Sequence, residues 1–257
     1  MHFMKKRKIV VANWKMNPET PARAREIFRV VSRQAKKFNS VDVVVCPPVA
    51  FLSLFKKPPG KNLSLGVQDI FWEKSGPFTG ETSPMMVSGL GASFTIVGHS
   101  ERRTLGETDA VVAKKVLAAL RSSLGAIVCI GERERDSGGA YFEFIKNQIL
   151  SSLLGVPPRN LKQIIIAYEP LWAIGKSFKD AMKPAEVHEM AIFIRKVLTD
   201  TFGKATAISM PILYGGSVNF ENAPLIIEEG NVDGLLVGRE SLDPENFIKL
   251  LSTINEL

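Results

Sequence analysis

Cysteine is scarce in this chain: only Cys46 and Cys129 occur in 257 residues. Each lies inside an apolar run, VVVC and IVCI, so a disulfide scaffold is excluded. Buried free thiols in a reducing compartment, the cytoplasm, are expected instead. There are only three histidines, His2, His99 and His188, and none is spaced as a metal ligand. That argues against a His-based metal site. No apolar run approaches the length of a membrane span, so no membrane partner is expected. The basic cluster Lys5, Lys6, Arg7 and Lys8 is followed only by the short apolar stretch 9–12, too little for an export signal. Aromatic residues are 8% of the chain and do not interleave with basic ones. Beyond the N-terminal cluster, Lys and Arg are mixed with acids along helical segments. The net charge of +7 and pI near 9.4 therefore imply no nucleic-acid partner, but a basic field that draws in small anions. No linker or low-complexity stretch divides the chain.

The chain does contain a regular alternation. Short β-branched runs predict strands over residues 8–13, 41–46, 63–68, 94–97, 126–130, 208–214 and 234–237, and another from Ile164 to the acid Glu169. Helical spacing lies between them: from the Thr20-Pro21 cap to about Phe38, then over 109–121, 141–154, 184–202, 222–229 and from Pro244 to about Ile254. A long loop over 69–82 follows the third strand. Strict alternation implies a parallel sheet. Eight units in roughly 250 residues is the size of a closed barrel. The reading is an α/β chain forming a single (β/α)8 barrel domain over residues 1–257. A doubly wound open sheet is the competing arrangement. It would usually carry GxGxxG after the first strand, where this chain reads Asn13-Trp14-Lys15-Met16-Asn17.

The segment Ala167-Tyr168-Glu169-Pro170-Leu171-Trp172-Ala173-Ile174-Gly175 is the most pointed. Its strand delivers one carboxylate to its C-terminal tip, and Pro170 holds that residue extended. Large apolar residues then follow in a loop, as a lid over a small ligand would require. Taken alone, a paired structural acid and a loop packed on the core fit equally well. In a barrel, however, all strand tips share one face. That face collects Asn13, Lys15, His99, Glu101, Glu169, the turn Gly215-Gly216-Ser217 and Gly238-Arg239. An acid and an imidazole thus meet a cation and two glycine-rich turns. The turns follow strands seven and eight, where barrels commonly hold phosphate.

These segments, together with Gly98-His99-Ser100-Glu101-Arg102-Arg103, Cys129-Ile130-Gly131-Glu132 and Tyr214-Gly215-Gly216-Ser217-Val218, resemble the triosephosphate isomerase family, in order and over nearly the whole chain. The resemblance implies a cofactor-free, metal-free aldose–ketose isomerase acting on a small phosphorylated triose. It assigns Glu169 as base, His99 as electrophile and Lys15 as the cation, with Asn13 beside it. It places phosphate contacts at Gly175, Ser217, Gly238 and Arg239, an apolar clamp at Ile174 and Leu236, and Glu101 in support. It also implies a homodimer in which Thr79, in the segment Phe78-Thr79-Gly80-Glu81, reaches the partner. In that family a neutral imidazole at a helix N-terminus is the known electrophile, and Ser100 is the expected cap of such a helix. Under an apolar lid, Glu169 is expected to become more basic as water leaves. Three positions depart from the family pattern. Lys176-Ser177-Phe178-Lys179-Asp180 replaces the usual continuation after Gly175, Arg239 stands where glycine is usual, and Glu240 where a small residue is usual. A phosphate-sugar-binding barrel without turnover is the alternative function.

Overall fold

The computed structural model describes residues 7–55, 61–173 and 182–257. Eight strands, each parallel to the next, close into a barrel when the last pairs with the first. They are β1 (Lys8–Asn13), β2 (Val41–Cys46), β3 (Leu63–Val67), β4 (Ala92–Val97), β5 (Gly125–Ile130), β6 (Ile164–Tyr168), β7 (Ile212–Tyr214) and β8 (Gly234–Val237). Helices wrap the outside. In order they are α1 (Pro21–Ala35), α2 (Val49–Leu52), α3 (Pro84–Gly89), α4 (Ser100–Thr104), α5 (Asp109–Arg121), α6 (Ala140–Ser152), α7 (Pro184–Phe202), α8 (Lys204–Ser209), α9 (Ala223–Glu228) and α10 (Pro244–Asn255). No described helix is long and apolar enough to cross a membrane.

The period-2 pattern of each strand divides the core in two. Val11, Val44, Cys46, Ile96, Ile127, Cys129, Ile165, Ala167, Leu213 and Leu236 fill the barrel interior. Their neighbours in sequence, such as Val10, Ala12, Val128 and Ile166, face the helices. This parity determines which residues reach the mouth. Continuing the inward set by two residues gives Asn13 after Val11, Glu169 after Ala167 and Gly238 after Leu236. Asn13 and Glu169 are buried there.

The structure corrects one strand expectation outright. Residues 208–214 do not form one strand: 204–209 are helical, and β7 is only three residues long. Gly203, at φ +82°, ends α7 and lets a second helix begin at once. Ile208 is exposed, so its apolar character is not a core signal. The short helices α2 and α3 lie in segments for which the sequence suggested no element. The loop after β3 does fold back on itself, with Phe71 buried and stacked on Trp72 (centroids 3.9 Å) and against Phe78 (4.6 Å).

Candidate active site

Glu169 leaves β6 with its N–H bonded to Ile130 O at 2.8 Å, which extends the ladder one residue past the strand. Gly131 must be glycine for this to happen: a Cβ there would stand 1.8 Å from Glu169 O. The Glu169 carboxylate is then gripped from β4. Its Oε1 lies 3.0 Å from His99 Nε2, and its Oε2 accepts the Ser100 N–H at 3.2 Å. Strand parity alone would point His99 outward. Gly98, at φ +69°, turns the chain so that the imidazole enters the mouth. The turn is pinned by Glu107, whose Oε1 accepts the Gly98 N–H, and by Arg103, whose Nε donates to Gly98 O.

Ser100 does not cap α4, as had been expected. His99 is the cap, and its Nδ1 accepts the Glu101 N–H at 3.2 Å. That bond places the neutral ring's proton on Nε2, facing Glu169 and the cavity. Ser100 donates its backbone N–H to Glu169 instead. Burial raises the Glu169 carboxyl, as expected, but the facing His99 and then the Ser100 N–H outweigh it. The group is held below the ordinary glutamate range. Burial likewise disfavours a charged His99, and the Glu169 and Glu101 carboxylates overcome it, lifting the imidazole. Once Glu169 takes up a proton, the larger of those two attractions disappears and the neutral imidazole is favoured.

Lys15 adopts a left-handed backbone, φ +52°. Its N–H donates to Asn13 Oδ1 at 3.0 Å and its carbonyl accepts from Gln68 Nε2 at 2.8 Å, so two side chains hold a conformation that a lysine resists. Its Nζ bonds Glu101 Oε1 at 2.7 Å. Nothing in the sequence reading singled out Gln68. A lone amide at a strand end carries no signal until its partner's backbone is seen.

Asn13, Lys15, His99, Glu169, Leu236, Gly238, Arg239 and the turn Gly215–Ser217 line one cavity of about 430 Å³. Glu101 stands behind Lys15, outside the lining. Thr79 is exposed at the tip of the loop after β3, away from the cavity. Ile174, Gly175 and the departure at 176–180 lie outside the described residues.

The chain was then compared with known proteins. The family profile described as Triosephosphate isomerase matches residues 8–254. The triosephosphate isomerase of Thermoanaerobacter pseudethanolicus is 40% identical over 250 residues, covering 96% of this chain and 99% of that protein. That of Moorella thermoacetica is 40% identical over 251 residues, covering 96% and 98%. The chain belongs to the triosephosphate isomerase family.

Within this triosephosphate isomerase barrel, the loop after Glu169 is seated on a polar cluster that sequence reasoning missed. Glu132, buried one residue after Gly131, accepts on Oε1 from Tyr168 OH (2.8 Å), Trp172 Nε1 (2.9 Å) and Arg135 Nε (3.0 Å). Arg135 also lies over the Trp172 and Tyr141 rings. Leu171–Ala173 form a 3-10 turn, with the Leu171 N–H on Glu132 O and Ala173 O accepting Ser217 Oγ–H at 3.0 Å. Trp172 therefore has protein to cover, and its apolar character does not by itself require a ligand. The available signal was an acid at the tip of β5, matching the one at the tip of β6.

Proposed function

We propose that this protein interconverts dihydroxyacetone phosphate and D-glyceraldehyde 3-phosphate through an enediolate. The observation that carries the reading is the buried Glu169–His99 contact at 3.0 Å, opening onto the cavity that also holds Lys15 and both glycine-rich turns. The phosphate is received by the turns at Ser217 and at Gly238-Arg239, with Gly175 as a further contact. Glu169 exchanges its bond to His99 for the substrate's C1 proton, which it later returns at C2. The C1–H electron pair moves into the carbon–carbon bond, and the charge arriving on the carbonyl oxygen meets His99 Nε2–H and Lys15 Nζ. Asn13 holds the Lys15 backbone, Glu101 balances its charge, and Leu236 with Ile174 keeps water from the base. Moving a proton between neighbouring carbons calls for no metal or organic cofactor.

A phosphate-sugar-binding barrel without turnover would have no chemical need for both His99 and Glu169. A coupled assay with glyceraldehyde 3-phosphate separates the two: turnover is expected, and phosphate binding without turnover would establish the binding protein instead.

The phosphate contact at Arg239 is read as backbone, because its side chain is exposed while its N–H opens a 3-10 turn over Arg239–Leu242. Arg239→Ala is therefore expected to change KM by less than about tenfold, roughly 1.4 kcal/mol. A larger rise, with weaker salt dependence, would mean that the guanidinium itself holds the phosphate.

The working form is read as a homodimer of single-domain barrels in the cytoplasm, where the buried thiols of Cys46 and Cys129 remain reduced. Met16, Phe78, Met85 and Met86 are exposed on the loops after β1 and β3 and on α3, Met16 to 94%. A second copy supplies a reason for that apolar surface. By light scattering the wild type is expected at twice 28.3 kDa. Thr79→Arg, which places a charge within the contact, is expected to run as a monomer. An unaltered dimer in that variant would place the interface elsewhere.

A further inference from the structure

The two turns at the anion end of the cavity differ in charge. After β7 the chain reads Gly215-Gly216-Ser217, whereas after β8 it reads Gly238-Arg239-Glu240-Ser241. Arg239 is exposed, but Glu240 is half-buried and lines the cavity. The turn is closed by Ser241, whose N–H and Oγ–H both bond Gly238 O, at 2.9 and 2.6 Å. Glu240 is thereby fixed between the proposed phosphate ligands and α10. Asp243, which caps α10 through the Glu245 and Asn246 N–H groups, adds a second negative charge nearby. Among the described residues no cation pairs with Glu240. On the neighbouring segments Lys15 Nζ is bonded to Glu101, and Arg23 to Glu26 at 2.9 Å. Burial and Asp243 push the Glu240 carboxyl above its ordinary range, with Arg239 opposing.

We propose that Glu240 is a negative determinant of phosphoryl affinity, repelling the anionic end of the substrate so that it is held weakly and released readily. The inference rests on the proposed isomerase reading for its substrate, but anion binding can be measured without turnover. A like charge lining the same partly solvated cavity as an anion acts appreciably on its binding, and salt screens it.

The test compares the wild type with Glu240→Gln, which keeps the shape and removes the charge. Glu245→Gln, on the exposed face of α10, serves as control. Inorganic phosphate is measured in two ways: as a competitive inhibitor, and by its concentration-dependent protection against thermal unfolding. At pH 8 and low salt, Glu240→Gln is expected to bind phosphate about five- to tenfold more tightly. KM for the triose phosphate should fall with it. The gap should close at high salt. With sulfate as probe it should also shrink towards acid pH, because Glu240 becomes protonated above the pH of an ordinary carboxylate. Equal or weaker binding by Glu240→Gln, the same tightening in Glu245→Gln, or no phosphate protection in either protein would overturn the inference. A wild type that binds phosphate but does not isomerise the triose phosphate contradicts the isomerase reading alone and leaves this comparison intact.

Discussion

Glu169→Gln is expected to lower kcat at least about a thousandfold while KM changes only a few-fold. The amide keeps the volume of the side chain and can still accept from His99, but it cannot take a proton from carbon. General-base catalysis is typically worth 10² to 10⁴, and a thousandfold loss is about 4 kcal/mol of barrier. The proposed phosphate contacts at Ser217 and at Gly238-Arg239 lie on other loops, so ground-state binding should survive. Glu169→Asp tests position separately from charge. It retains the carboxylate but withdraws it by one methylene from the point fixed by Ile130 O, His99 and Ser100, and a shift of that size is expected to cost roughly a hundredfold. A glutamine variant with a tenth of wild-type kcat would remove Glu169 from the role of base.

Lys15→Met should act on the substrate's charge rather than on its proton. Methionine has a similar length and no charge, so the substrate loses its cation while Glu101, now without a counter-ion, adds a repulsive charge. Charge-assisted hydrogen bonds are worth about 1.5 to 3 kcal/mol, so kcat/KM is expected to fall by roughly ten- to a hundredfold, through kcat as well as KM. Folding stability should barely change, because the Lys15–Glu101 pair is largely solvated. Kinetics and thermal denaturation on the same preparation check both halves. A kcat/KM within threefold of wild type would show that Lys15 does not contact the substrate.

Most of the site was legible because it follows strand parity. Val11 leads to Asn13, Ala167 to Glu169 and Leu236 to Gly238, each by one more step of a period-2 pattern. Where backbone geometry breaks that pattern, the sequence was less informative. His99 reaches the mouth through the left-handed turn at Gly98, and its role as cap of α4 depends on a ring orientation no pattern reveals. The 208–214 strand failed for a related reason. Apolar residues in a short run look alike in a helix and a strand, and Gly203 decided between them. Gln68 and Glu132 went unread because their function lies in what they hold, Lys15 O for one, and Trp172 with Tyr168 for the other.

The central claim, that a carboxylate carries a proton between two carbons, is tested most directly by turnover in deuterium oxide. Dihydroxyacetone phosphate is converted by the wild-type protein, with the product trapped by oxidation and examined by NMR. If Glu169 is the base, the proton it takes from C1 can exchange with solvent deuterium while the enediolate is still bound, so deuterium is expected at C2 of part of the trapped product, and Glu169→Gln should form that product at least about a thousandfold more slowly. Product with no deuterium at C2, formed by Glu169→Gln as fast as by the wild type, would mean that hydrogen moves between the carbons without this carboxylate, and would contradict the assignment of Glu169.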